Sequence, residues 1–507
     1  MTTEKSPREI YPDLKVIQGG QSRGPASPGG GDTGGEGPDL RPVWCSDDGL
    51  AALLSARFAD DWLYAAGSWY VYTNGRYLRD ETKRDLHESR HVCRGVASEI
   101  IDLKIAARVS SDHAIYAAAK IAATDRRHAR RLDQFDADSW LLNTPHGIVD
   151  LRTGQLLPHD RAAMMTRLTR ASPALGGPDC PRWLQFIEEI TEGDTAVARY
   201  LQRIAGYCLT GSVEEHAIFF LYGPKGGNGK SVFQTILVEM LGDYGTTAMM
   251  DLFVVATGER HSTELAALAG QRLVIASETD EGRRWDEAKL KAITGGDTIT
   301  ARKMRGDPFT FRPSFKLILA GNHRPRMRSA DGGMRRRMQV IPFRHKPAKP
   351  DKALAEKLKA EIDDILTWAI EGEMERRRIG LAPPPAILRE TEEYFDAEDV
   401  LGRWIEERCV RGVDKRDPIN RLYADFKSWA VRDGEYVLSK RGFAQKLRLV
   451  EGIEPVYVDR GKGVRGIALA FAEAELPGLR EVRPAVVRAN DTPIESASDP
   501  AEHWPRG

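Results

Sequence analysis

Lys230 and Ser231 stand side by side near the end of "YGPKGGNGKSVF" (222–233), a stretch that holds four glycines. An ammonium and a hydroxyl behind a run of glycines are the groups that hold a polyphosphate. Glycines let backbone N–H groups turn inward around phosphate oxygens, the lysine reaches the β- and γ-phosphates, and the hydroxyl ligates Mg2+. Gly223, Gly226, Gly227, Asn228, Gly229, Lys230, Ser231 and Val232 are the expected nucleotide contacts. The strict spacing puts the first glycine at 224. That residue is Pro224, and Gly223 comes one place earlier, so the loop is one residue longer than the strict form.

Acids, an amide and arginines follow. "QRLVIASETDE" (271–281) is an apolar run that ends in acids, and Glu278 is the first choice for acting on Mg2+ or on an attacking water. Ser277 stands where many such enzymes carry a metal-binding aspartate, which leaves open whether Glu278 meets the metal, the water or both. Asp280 and Glu281 read as solvated turn residues. "FKLILAGN" (315–322) ends in Asn322, an amide placed to bond a γ-phosphate or orient the water. From 301 to 350 there are fourteen Lys/Arg against two acids, Asp307 and Asp331. That run contains "MRRRM" (334–338), and arginines near a nucleotide stabilise a transferring phosphoryl group, often from a neighbouring subunit.

These groups need elements to hold them. "AIFFLY" (217–222) is a continuous apolar run, as a buried strand should be. After the loop, Val232, Phe233, Ile236, Leu237, Met240 and Leu241 recur at helical spacing until Gly242. The glycines therefore join a strand to a helix N-terminus, whose positive end favours phosphate. Apolar runs at 273–276, 315–322 and 339–343 add strands, and their alternation with helices predicts an α/β domain with a parallel sheet.

The rest of the chain divides around this core. Of 507 residues, Lys+Arg and Asp+Glu both number 74, which excludes a whole-molecule basic field and leaves nucleic-acid contact to local patches. Five scattered cysteines fit no zinc or redox spacing and suggest a reducing cytoplasm. No apolar run is long enough for a membrane span, and no signal peptide is evident. Residues 1–43 and 476–507 read as disordered tails, rich in Gly and Pro or similar in character. Between them we expect an N-terminal α+β domain (44–185), an ATPase domain (186–346), a helical linker (347–379) and a small third domain (380–475). "WYVYTNGRYL" (69–78) reads as a hairpin turning at Asn74-Gly75.

In order and spacing, "GGNGKS", "ASETDEGRRWDEAKLKAITGGDTITAR", "FKLILAGN" and "RRRMQVIPF" resemble the motifs of superfamily 3 helicases. Within that group the chain is similar to the C-terminal part of phage and plasmid primase–helicases, relatives of the poxvirus primase–helicase. The resemblance covers roughly residues 55–470 and includes "LLNTPHGIVDLRTGQLLPHDRAAMMTRLT" (141–169) ahead of the motor and "YFDAEDVLGRWIEERCV" (394–410) after it. It implies a P-loop NTPase with an AAA+-like core, ATP and Mg2+, a homo-hexameric ring, and single-stranded DNA in the channel. Lys230 and Ser231 match the phosphate-loop pair, Glu278 the acid and Asn322 the polar sensor; the arginine finger falls on Arg336 or Arg337. "DTITARKMRGDPFTFRP" (297–313) matches the channel hairpin, with Lys303 and Arg305 near its tip. The third domain reads as a winged helix. Lys440 and Arg441 open its recognition helix, and Arg460, Lys462 and Arg465 lie on its wing. Residues 45–140 show no cluster of metal-binding acids with a histidine, so the chain is not expected to make primers itself, which leaves room for a separate primase as a partner. The expected function is ATP-driven DNA unwinding in phage or plasmid replication, in the host cytoplasm. The alternatives are a ring ATPase that loads DNA or initiates replication, and a DNA-binding regulator with a vestigial ATPase.

Overall fold

The structure, a computed structural model, describes residues 43–223, 226–255, 263–277, 283–304, 306–327, 332–433, 435, 437–458 and 461–470. The expected terminal tails lie almost wholly outside them. The chain forms two compact units that part between Asp399 and Val400.

The first unit opens with helix α1 (Asp47–Phe58) and an antiparallel sheet of β1 (Trp62–Ala65), β2 (Ser68–Thr73) and β3 (Arg76–Arg79), then α2 (Arg84–Ser98), α3 (Leu103–Val109) and α4 (Asp112–Ala122). The β2–β3 hairpin turns at Asn74 and Gly75, whose φ values of 48° and 80° are those of a tight hairpin turn. Leu50, Leu54, Trp62, Val96 and Ala118 give this block its own core. A second antiparallel sheet, β4 (Leu141–Thr144), β5 (Gly147–Asp150) and β6 (Gln155–Leu157), does not belong to that core. Leu142 and Val149 pack instead with Phe219 and Phe233. The boundary expected at 185 therefore differs from the packing: it cuts helix α5 (Pro181–Ile190), whose Phe186 and Ile190 join the same main core.

After α6 (Thr195–Leu209), five strands build the central sheet: β7 (Ile218–Tyr222), β8 (Gly245–Thr247) after α7 (Lys230–Leu241), β9 (Leu273–Ser277) after α8 (Thr263–Ala266), then β12 (Lys316–Gly321) and β13 (Met338–Pro342). Between β9 and β12 come α9 (Glu287–Gly295) and the hairpin β10 (Ile299–Arg302) with β11 (Pro308–Phe311). β12 and β13 are separated by the short α10 (Gly332–Arg335). The order is β13-β7-β12-β9-β8, with every pairing parallel. A parallel sheet is covered on both faces, which is why its strands are continuous apolar runs. Here Phe219 and Leu221 face one core and Ile218 and Phe220 the other.

Residues 347–379 are not a linker. They contain α11 (Leu354–Ala360) and α12 (Ile362–Ile379), and α12 lies against α6 so closely that a Cβ on Gly206 would stand 2.2 Å from the Glu373 nitrogen. Ile365, Leu366, Ala369 and Ile370 are buried in the main core. Charged side chains of α12 are also drawn inward. Arg376 pairs with Glu373, Glu214 and Glu215 at 2.8 Å each, and both Arg376 and Glu373 are buried. Helix α13 (Pro385–Glu398), expected in the third domain, covers the edge strand β13: Thr391 Oγ1 accepts from the Val340 backbone N–H.

The second unit runs α14 (Val400–Arg408), β14 (Cys409–Pro418), α15 (Ile419–Arg432), α16 (Lys440–Leu447), β15 (Glu454–Val458) and β16 (Gly461–Leu469). Its antiparallel sheet has the order β14-β16-β15, and Trp404, Phe426, Phe443 and Ile467 form its core.

Candidate functional site

Lys230 begins α7 yet is only 7% exposed, because the loop folds it back over the strand ends. Its Nζ donates to Gly223 O (2.9 Å), Asn228 Oδ1 (3.1 Å) and Asn322 Oδ1 (2.9 Å). Asn228 is fixed in turn, its Nδ2 donating to Phe343 O at 2.6 Å. The ends of β7, β12 and β13 thus converge on one ammonium. Burial lowers the Lys230 pKa below the usual lysine range. Among the described residues no carboxylate pairs with it. A buried cation whose described partners are all neutral oxygens is a place for an anion.

The loop residues fit that role. A Cβ on Gly223 would lie 1.9 Å from Asn228 Nδ2, so any other residue there would displace the asparagine from the lysine. Gly229 has φ 88°, and a Cβ on it would lie 2.7 Å from the Ile190 side chain of α5. Among the described residues nothing lies within 4 Å of a Cβ position on Gly226 or Gly227. Ser231 is exposed in the first turn of α7, and Val232 packs against the main core. A glycine loop, a helix N-terminus and a lysine together fit a phosphate chain.

A metal would rest on fewer protein groups. Among the described residues no three His, Cys, Asp or Glu side chains gather to hold an ion. Mg2+ commonly binds through one or two protein groups and shares the rest of its shell with phosphates and water. The Ser231 hydroxyl could be one such group. Glu278 lies outside the described residues, as do Arg305 and Arg460.

One residue escaped the sequence reading. Gln234, one helical turn past Lys230, is 1% exposed; its Oε1 accepts from Ser277 Oγ (2.7 Å) and its Nε2 donates to Ile318 O (2.8 Å). It ties α7 to both β9 and β12. The available signal was a polar residue inside the apolar face of α7.

Arg336 and Arg337 are not brought to Lys230. They precede β13, which runs parallel to β7, so they sit at the rim where the strands begin while the loop sits where they end. Arg336 is exposed, and Arg337 Nη1 donates to Gly333 O at 3.1 Å. The third arginine, Arg335, is engaged with Glu392 and Asp396 of α13. The β10–β11 hairpin forms as expected, with Lys303 exposed at its tip and its ammonium 5.9 Å from the Phe309 ring centre. In the second unit, Lys440 and Arg441 are exposed in the first turn of α16, behind the Ser439 cap. Lys462 is exposed at the start of β16, while Arg465 pairs with Glu454 at 2.6 Å.

Residues 51–192 match the family model described as D5 N terminal like, and residues 221–337 match a family of unknown function (DUF5906). The chain is 28% identical over 327 residues to "Putative helicase L207/L206" of Acanthamoeba polyphaga mimivirus, covering 59% of this chain and 34% of that one. It is 25% identical over 288 residues to "Putative helicase 022R" of Frog virus 3, covering 51% and 29%. It is 24% identical over 219 residues to "Putative primase C962R" of African swine fever virus, covering 39% and 23%. The chain thus spans about a third or less of the length of these relatives. Among solved structures, the apo NrS-1 C-terminal region aligns with a TM-score of 0.45 and 10% identity, over 83% of this chain and 98% of that one. By its D5 match over residues 51–192 and by these relatives, the chain is similar to phage and viral primase–helicases.

Proposed function

We propose that the chain hydrolyses ATP, with Mg2+, to move along single-stranded DNA and unwind duplexes as a homo-hexameric ring. The observation that carries this is the convergence of Gly223, Asn228 and Asn322 on Lys230 at the rim of a parallel sheet. The sheet order supports a P-loop, AAA+-like core. The strand that feeds the loop lies beside the strand ending at Asn322, and the strand leading to Glu278 comes next. Lys230 would meet the γ-phosphate, Asn322 would sense it, and Mg2+ bound near Ser231 would withdraw charge from the phosphate oxygens. Glu278 would act on the water or the metal. Lys303 and Arg305 would track the DNA backbone.

In the second unit, the order helix, strand, two helices, strand pair supports a winged helix. Lys440 and Arg441 would then face duplex DNA, with Arg460 and Lys462 on phosphates. No helix among the described residues is long and apolar enough to cross a membrane, in keeping with work on DNA in a host cytoplasm.

The test pairs ATPase measurements, with and without single-stranded DNA, with displacement of a strand from a forked duplex. DNA-stimulated hydrolysis with displacement is expected. Hydrolysis without displacement would make the chain a loader or initiator, and no hydrolysis would overturn the proposal.

A further inference from the structure

Glu390 lies on α13, distant in sequence from every residue of the site, and is 4% exposed. A buried carboxylate carries a desolvation cost that an apolar side chain of the same volume does not, so a stabilising role alone accounts for it poorly. Its oxygens go to two guanidiniums: Oε1 accepts from Arg324 at 2.6 Å, and Oε2 from Arg344. Among the described residues neither arginine has another carboxylate partner. Arg324 comes two residues after Asn322, beyond β12, and Arg344 comes directly after Phe343, beyond β13. In the sheet, β7 runs between those two strands. One carboxylate therefore bridges the strand ends on either side of the strand that feeds the glycine loop.

The bridged segments are the two that hold Lys230. Asn322 accepts from the ammonium directly, and Phe343 O holds Asn228, which also accepts from it. Helix α13 is anchored to the same segments by further bonds. Thr391 Oγ1 accepts from Val340 N at 3.0 Å, and the Tyr394 hydroxyl donates to Pro325 O. The Arg324 guanidinium lies 4.4 Å from the ring centre of Tyr222, the last residue of β7. All three strand ends are thus referred to one side chain of α13.

We propose that Glu390 is a positioning residue for Lys230, acting through Arg324 and Arg344 on Asn322 and Asn228; this rests on Lys230 being the phosphate-binding lysine. Loss of the bridge would let the two asparagines shift apart and the ammonium lose its aim, with the loop itself unaltered.

Steady-state ATPase of the full chain tests this with Glu390→Gln, Glu390→Asp, Arg344→Ala, Asn322→Ala and the double variant Glu390→Gln with Asn322→Ala. The Arg344 side chain is 60% exposed, so its variant keeps the fold should Glu390→Gln fail to. In Glu390→Gln, kcat should fall about tenfold with KM changed less than about twofold, and Glu390→Asp should recover part of the loss. In the double variant the second change should cost less than about twofold beyond Asn322→Ala alone, as expected for residues acting as one unit. Additive losses, or a normal kcat with only a lowered Tm, would assign Glu390 to stability and overturn the proposal. A wild-type chain without ATP turnover, or a Lys230→Ala variant as active as wild type, would instead overturn the reading of the site itself.

Discussion

At the scale of single residues, the ammonium of Lys230 carries the site. Its three acceptors among the described residues are neutral, and burial holds its pKa below the usual lysine range. Lys230→Ala should abolish ATP turnover, and because the side chain makes no ion pair with any described residue, the fold should survive. Circular dichroism beside a turnover assay checks both halves, and turnover within tenfold of wild type would remove Lys230 from the mechanism. Glu278→Gln should bind ATP normally and fail to hydrolyse it, since an amide neither activates water nor balances metal charge as a carboxylate does. Wild-type hydrolysis by that variant would reassign the acid, with Asp280 and Glu281 next in line.

At the scale of elements, the strand starts hold a second buried cation. Lys316 opens β12, and its Nζ donates to Thr210 O, Ser212 O (3.3 Å) and Ser314 O (3.3 Å), tying the end of α6 to the sheet. Burial pushes its pKa down to about 7 from the ordinary 10.5. The folded state then releases this proton first, and between about pH 7 and 10.5 the unfolded chain binds more protons, so stability rises with pH across that window. Lys316→Met should remove this rising component from a plot of Tm against pH. An unchanged slope would place the lysine's titration elsewhere.

The β10–β11 hairpin makes a second prediction at this scale. Lys303→Ala with Arg305→Ala should leave basal ATPase largely intact and remove its stimulation by single-stranded DNA. The salt dependence of DNA binding should also fall, because fewer counterions are released. Unwinding of a fork at the normal rate would move DNA gripping off the hairpin. Elements such as this hairpin, the Asn74-Gly75 turn and the apolar strands were legible because each is specified by neighbours in sequence. Helix α12 was not. Its charge pattern suggests solvent, but Arg376 finds Glu214 and Glu215 some 160 positions away, and pairing at that range leaves no local signature. The same holds for Gln234 and Glu390, polar residues on buried helix faces whose partners lie on strands or just past strand ends, far away in sequence.

At the scale of the whole molecule, one copy of the chain holds only part of the expected constellation. Lys230 and Asn322 meet at the rim where the strands end, while Arg336 and Arg337 stand where β13 begins. A strand of five residues at about 3.3 Å each separates the two rims by roughly 16 Å. Arg337 is further held by its own bond to Gly333 O. Under the proposed function, a finger acting on the nucleotide would therefore come from a second copy, through a head-to-tail contact of the kind that closes into rings. Arg336→Ala with Arg337→Ala should then abolish hydrolysis while nucleotide binding, set by the Lys230 rim, stays within about twofold of wild type. Mixing that variant with Lys230→Ala gives the sharper result. In a random equal mixture, about a quarter of head-to-tail interfaces would pair an intact lysine with an intact arginine. Two inactive proteins should therefore recover turnover on mixing, with a maximum near equal proportions. Absence of recovery at every ratio, in assemblies shown by exchange of a fluorescent label to trade subunits, would confine the active site to a single chain and take Arg336 and Arg337 out of it.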